Sequence, residues 1–376
     1  MIYLDSAATS LQKPQSVIRA TSYALNHCAS PGRGGHLPAH RGAEVIYACR
    51  EACANLFHLE NPEQVVFTQN ATHAINIALK TLVKEGSTVL ISGWEHNAVT
   101  RPLHNVKDIT IKVAYAPLFD QEATVRAFER NLTSEVEAVV FTHVSNVFGF
   151  VLPIERLSAL CRRRGVPFLI DASQSAGCLE INQSCLGANF IAMPGHKSLL
   201  GPQGTGILLC GQSQHITPIL QGGTGSTSRC QTMPTDLPDR LEAGTHNVAG
   251  IAGLLQGIRY LERRGISSIY SHESALLTRM ARGLSPHCEI YYAGDSAHQA
   301  GVLSFQMEGY DCEEISALLG EQGFALRAGL HCAPLAHQTA GTLERGTIRA
   351  SVSPFNTRQE IDTFIRAVTR LAKNKK

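Results

Sequence analysis

The segment Met193-Pro194-Gly195-His196-Lys197 sets a lysine behind a glycine turn and beside a histidine, ahead of the second turn Gly201-Pro202-Gln203-Gly204-Thr205-Gly206. A lysine held this way can reach a cleft, lose its proton through burial and attack an aldehyde carbon. Upstream, the apolar run Phe168-Leu169-Ile170 ends in Asp171 and continues Ala172-Ser173-Gln174. An acid at that place can hold a protonated pyridine nitrogen and so keep an aromatic ring electron-withdrawing. Earlier still, Gln69-Asn70-Ala71-Thr72 leads into an amphipathic segment. The N–H groups and positive dipole end of a helix start suit a phosphate, and the Thr72 hydroxyl adds a bond. Each feature alone has an ordinary explanation: a solvated surface charge, a loop anchor, a helix cap. As an ordered set they describe a site for a phosphorylated pyridine aldehyde, pyridoxal 5′-phosphate (PLP), with Lys197 carrying it as a Schiff base.

These residues need a scaffold that brings strand ends together. Strand-length apolar runs at Val65–Thr68, Thr88–Ser92, Thr110–Ala114, Ala138–Thr142, Phe168–Asp171, Phe190–Met193 and Gly206–Leu209 alternate with helix-length segments near Glu44–Phe57, His73–Lys84, Glu122–Asn131 and Ile154–Arg164. That alternation predicts βα units around a largely parallel seven-stranded sheet, with ligands beyond the carboxyl ends of its strands. A loop over Gly222–Ser228, with Pro234 and Pro238 beyond it, interrupts the rhythm before a long helix at Val248–Arg264. A smaller α+β lobe follows: helices near Ser268–Leu284 and Asp311–Gln322, strands near Val302–Gln306, Ala325–Ala328 and Thr347–Val352, and a closing helix from Arg358. The expected division is a large domain over 12–255 and a small one made of 1–11 and 256–376.

Composition fits this architecture. The 376 residues, 44% hydrophobic and 17% charged, exceed one ordinary core and leave little room for disordered tracts. A net charge of +2 provides no broad field for nucleic acid or an anionic membrane, which favours small-molecule ligands. No secretory pattern opens the chain and no apolar run spans a bilayer. Eleven cysteines without paired C-x-x-C spacing suggest reduced thiols and a cytoplasmic setting. Cys49 and Cys53 share a helix face, but no second pair accompanies them at metal-ligand spacing, so an amphipathic helix explains them. Cys161, Cys178 and Cys210 read as core residues too. Gly201–Gly206 lacks the order of a nucleotide-binding loop.

Tyr3-Leu4-Asp5-Ser6-Ala7-Ala8-Thr9, His143-Val144-Ser145-Asn146-Val147-Phe148-Gly149, Asp171-Ala172-Ser173-Gln174 and Gly195-His196-Lys197 resemble class V, fold-type I PLP enzymes. With Arg327-Ala328-Gly329-Leu330-His331-Cys332-Ala333 and Ile348-Arg349-Ala350-Ser351, the chain is similar, nearly end to end, to SUF-type cysteine desulfurases and to selenocysteine lyases. The resemblance implies Lys197 as cofactor anchor and base at the substrate Cα, Asp171 on the pyridine nitrogen, His96 over the ring, and Asn146 and Gln174 beside the ring hydroxyl or substrate. It assigns the phosphate to Ala71, Thr72 and His196, and also to Thr245 of Gly244-Thr245-His246-Asn247, offered across a homodimer to a shared site.

In the second lobe, Arg349 leaves a strand with the planar fork that suits an α-carboxylate. Cys332, as thiolate, can attack the sulfur of bound cysteine, leaving a persulfide and releasing alanine; His331, His36 or Arg327 would favour that thiolate, and His36 and Arg327 are expected with Asn146 and Arg349 around the substrate. The short Arg327-to-Cys332 spacing implies a partly enclosed thiol that passes sulfur to a partner protein or to a small reductant. Pro194 and Ala71 stand where many relatives carry hydroxyls for the phosphate. Selenocysteine cleavage and class V transamination are the alternative chemistries, and a non-catalytic sulfur carrier the alternative in kind.

Overall fold

The computed structural model describes residues 1–32, 34–211, 216–226 and 228–373, so position 227 of the Gly222–Ser228 loop and positions 374–376 lie outside the described residues. The chain opens with β1 (Ile2–Tyr3), α1 (Gln15–His27) and α2 (Leu37–Leu56). It then alternates β2 (Val65–Thr68), α3 (Ala71–Leu82), β3 (Thr88–Ser92), α4 (Asn97–His104), β4 (Thr110–Ala114), α5 (Gln121–Asn131), β5 (Val136–Thr142), α6 (Ile154–Arg164) and β6 (Phe168–Asp171). A short α7 (Gln183–Leu186) precedes β7 (Phe190–Pro194) and β8 (Gly206–Cys210). The remainder is α8 (Val248–Arg264), α9 (Ile266–Leu284), β9 (Glu289–Tyr291), β10 (Val302–Gln306), α10 (Cys312–Glu321), β11 (Phe324–Ala325), β12 (Arg327–Gly329), α11 (Pro334–Ala340), β13 (Thr347–Ser351) and α12 (Arg358–Lys373).

The large sheet has seven strands in the order β2-β8-β7-β6-β5-β3-β4. Pairings from β4 to β7 are parallel, and β8 runs antiparallel to both neighbours. The expected mainly parallel α/β sheet is therefore present. Its strands are apolar on both faces because both are covered. Val139, Phe141 and Ile170 pack with α2, α6 and α8, while Val140, Leu169 and Ala192 pack under α3. Fully burying each of the larger of these side chains, Val, Leu, Ile or Phe, is worth roughly 1.5–3 kcal/mol, which fixes the strand ends that carry the site. A third apolar cluster joins Leu4 to α9, β10, β13 and α12.

Most expected strands match within two residues. The stretch expected as one strand over Ala325–Ala328 divides at Leu326: β11 pairs in parallel with β1, and β12 joins the antiparallel sheet β12-β13-β10-β9. Pro334 starts α11, where its fixed φ and missing N–H are tolerated. Helices α1 and α4 were not anticipated; α4 is short and has Pro102 inside it.

Candidate active site

One cleft of about 110 Å³ opens at the carboxyl ends of β5, β6 and β7, and it gathers most of the expected residues. Ala71, Thr72, His96, Asn146, Asp171, Gln174, His196 and Lys197 all line it. At one end Asn70 caps α3, its Oδ1 accepting from the His73 N–H at 2.9 Å. The Ala71 and Thr72 N–H groups lie in the first turn, where no preceding helical carbonyl is available to them. Ala71 and Pro194 present no hydroxyl to this end.

Across the cleft, Asp171 closes β6 and is buried; its Oδ1 accepts from the Ser173 N–H at 2.8 Å. Between the two ends stands Lys197, whose turn depends on a close backbone approach: a Cβ on Gly195 would lie 2.2 Å from Thr205 Oγ1. Burial pushes the Lys197 ammonium down to about 8, against the opposing charge of Asp171. His96 caps α4, its Nδ1 accepting from the Ala98 N–H at 2.9 Å, so the proton of the neutral ring sits on Nε2. Burial likewise lowers the pKa of His96. His196 is held through Nδ1 to Thr9 Oγ1 at 3.0 Å and pushed down to about 4, first by burial and then by Lys197 and Lys13. Gln174 donates to the Ala7 carbonyl at 3.0 Å, which ties this wall to the N-terminal segment.

Cys332 is joined to the cleft region through its main chain. Its carbonyl accepts from the Asn97 N–H at 2.8 Å, next to His96, and the His331 carbonyl accepts from Asn146 Nδ2 at 2.8 Å. Both residues hold left-handed backbone, φ 49° and 56°. Such a conformation is costly for side chains bearing a Cβ and persists where surrounding bonds enforce it. The thiol is exposed, not partly enclosed as the short Arg327-to-Cys332 spacing implies. His331 does not supply the cation expected beside it: its ring is buried, its Nε2 faces the Thr347 carbonyl at 3.1 Å, and burial pushes it down to about 2, so it is neutral. Arg327 is the cation within electrostatic reach of Cys332.

Arg349 does not leave its strand. It lies within β13, only 2% exposed, donating from Nη1 to the Asn146 carbonyl and from Nη2 to Asp5 Oδ1, both at 2.9 Å. Asp5 also accepts from Arg327, Nη2 to Oδ2 at 3.1 Å. This acid went unassigned in the sequence, although it stands inside a recognised segment. Glu95 was missed as well: it is fully buried, bonded to Ser92 and to the Thr142 N–H, and pushed up to about 8 by burial. A buried acid directly before His96 was the available signal.

Two expected residues lie elsewhere. His36 caps α2 at the exposed surface, accepting from the Ala39 N–H at 3.3 Å. Thr245 lines a separate groove with Thr68, Gln69 and Thr205. Its turn is anchored by the buried Arg50–Glu242 pair and by His246 Nε2, 2.6 Å from Glu242 Oε2. All eleven cysteines are free; Cys49, Cys53, Cys161, Cys178 and Cys210 are buried. Burial pushes the Cys161 thiol up to about 12. Among the described residues no cluster of His, Cys, Asp and Glu could hold a metal, and no helix is long and apolar enough to cross a membrane.

The family model for class-V aminotransferases matches residues 2–364. A probable cysteine desulfurase of Xylella fastidiosa is 34% identical, covering 99% of this chain and 91% of the relative. One from Pyrococcus abyssi is 31% identical over 100% of this chain and 95% of its own. Among solved structures, the apo cysteine desulfurase of Thermococcus onnurineus superposes with a TM-score of 0.92 at 30% identity, covering 99% of this chain and 95% of that one. The cysteine desulfurase CsdA of Escherichia coli gives 0.85 at 28% identity, covering 99% and 94%.

Proposed function

Since the chain belongs to the class-V aminotransferase family, we propose that it is a PLP-dependent cysteine desulfurase that converts L-cysteine to L-alanine and takes the sulfur on Cys332. The observation that carries this reading is the main-chain link between Cys332, whose thiol is exposed, and the residue beside His96 of the lysine–aspartate cleft. The names of the relatives support it.

The cleft's donor set fits PLP. The head of α3, with Thr72 and His196, offers donors to a phosphate, the buried Asp171 carboxylate lies at the other end for a protonated ring nitrogen, and Lys197 stands between to attach the aldehyde. When bound, the cofactor supplies an electron sink that stabilises negative charge at the substrate Cα. The chain's own groups do the rest. Arg349 pairs with the α-carboxylate, and Lys197, its pKa lowered by burial, accepts the Cα proton. His96 covers the ring face. Cys332 attacks the substrate sulfur as thiolate: a sulfur–sulfur bond forms, the substrate Cβ–S bond breaks with its electron pair left on the carbon skeleton, and protonation at Cβ with return of the Lys197 proton to Cα gives alanine.

The Thr245 turn, set in a groove apart from the chain's own Lys197 cleft, serves the cofactor phosphate of a second copy, which makes the active unit a homodimer. The exposed Cys332 then passes sulfur to an acceptor protein or a small thiol, and eleven free cysteines fit a reducing, cytosolic setting. The test is Cys332→Ala. Sulfur release from L-cysteine should fall by about 10²-fold or more, the scale of a lost nucleophile, while covalent capture of PLP by Lys197, followed by absorbance, is retained. Undiminished sulfide release removes the proposal.

A further inference from the structure

Lys13 is a half-buried ammonium with no acid to match it. Its Nζ donates to the Ser10 hydroxyl and, at 3.1 Å, to the His196 carbonyl, both neutral oxygens, and among the described residues no carboxylate forms an ion pair with it. That carbonyl is heavily shared: it also faces the Ser10 N–H at 3.1 Å, the Ser10 hydroxyl at 2.9 Å and the Thr9 hydroxyl at 3.3 Å. An oxygen with two lone pairs cannot serve four donors fully, so the protein by itself meets the charge of Lys13 poorly. Burial, unrelieved by any anion, lowers its pKa to about 8. Lys13 does not line the lysine–aspartate cleft, but His196 does, and Lys13 lies within electrostatic reach of the His196 ring. The one acid among the cleft-lining residues, Asp171, stands across the cleft from this end.

We propose that Lys13 is a positioning residue for the cofactor phosphate: its ammonium, set against the main chain of His196, supplies through space the positive charge that draws the phosphate to the head of α3, where Ala71 and Pro194 offer no hydroxyl. This rests on the reading of the cleft as a PLP site. The phosphate in turn gives Lys13 the anion that the chain withholds. Contact is not required, because a charge in a partly desolvated setting acts beyond its nearest neighbours. His196 cannot do the same work. Kept neutral by burial and by its two lysine neighbours, it can offer a hydrogen bond but no charge.

The test compares equilibrium binding of PLP and of pyridoxal, which lacks the phosphate, to the full-length apoprotein, followed by absorbance of the captured aldehyde. Lys13→Gln should lower the preference for PLP over pyridoxal by about tenfold and leave pyridoxal affinity within about twofold of wild type, the scale of one charge interaction in a partly solvated setting. Lys13→Arg keeps the charge and should hold the preference within about threefold of wild type. The Lys13→Gln apoprotein should melt no lower than wild type, because without the cofactor the ammonium has no anion to lose. Equal losses for the two aldehydes, an unchanged preference, or a loss in Lys13→Arg as large as in Lys13→Gln overturns the proposal. So does failure of both Lys13→Gln and Lys13→Met to fold as apoprotein, since that assigns the ammonium to the fold itself. Wild-type apoprotein that shows no preference for PLP removes the PLP reading, and the proposal with it.

Discussion

Lys197 stands among side chains delivered by the carboxyl ends of β5, β6 and β7 and the head of α3, whereas Cys332 is placed by hydrogen bonds to its own carbonyl and to that of its neighbour. The first region is a product of sheet topology: burial of continuous apolar strands sets the ends, and the ends set the chemistry. The second is an irregular corner of consecutive left-handed residues whose geometry is imposed from outside by Asn97 and Asn146. The contrast extends to electrostatics. Burial lowers the pKa of the lysine that must lose a proton, while the buried histidine beside the cysteine is neutral and contributes no charge.

The largest effect separates the two regions outright. Lys197→Ala should abolish both covalent PLP capture and desulfuration, the latter by about 10³-fold or more; appreciable turnover in that variant, measured as alanine formed, would break the division of labour between base and thiol. A smaller effect probes the corner alone. Asn97→Pro deletes the N–H that holds the Cys332 carbonyl at the first position of α4, where proline is tolerated and where His96 already has the extended backbone that proline demands. Sulfur transfer should fall about tenfold while PLP absorbance and melting temperature change little, since one hydrogen bond is worth about 1 kcal/mol. The subtlest test concerns pH. Because only the free amine attacks an aldehyde, the rate of PLP capture by apoprotein should rise with pH and level off near 8, not near the usual lysine value, in stopped-flow absorbance.

The same contrast governs how much could be read from the sequence. Strands of the large sheet announce themselves as short apolar runs between turn residues, so Asp171 and Lys197 could be placed at strand ends before any coordinates. Eight candidate residues do meet in one cleft. The Cys332 corner had no such signal. It depends on main-chain contacts between segments far apart in sequence, and Pro334, which suggests a turn, here begins a helix. The Asp5–Arg349 pair spans 344 positions, beyond any local pattern. Short α4 escaped because Pro102 argues against a helix and few apolar positions argue for one. Thr245 was legible as a motif.

The pairing of β1 with β11, and of Leu4 with Ser351, also sets a timetable for biogenesis. The β1 residues leave the ribosome long before their partners Phe324 and Ala325, and at about 5–20 residues per second that interval is on the order of tens of seconds. Throughout it the Asp5 carboxylate has neither arginine and Leu4 has no apolar lobe to enter. The nascent β1 segment is thus a waiting strand edge, open to chaperones and to mispairing until the last strand arrives.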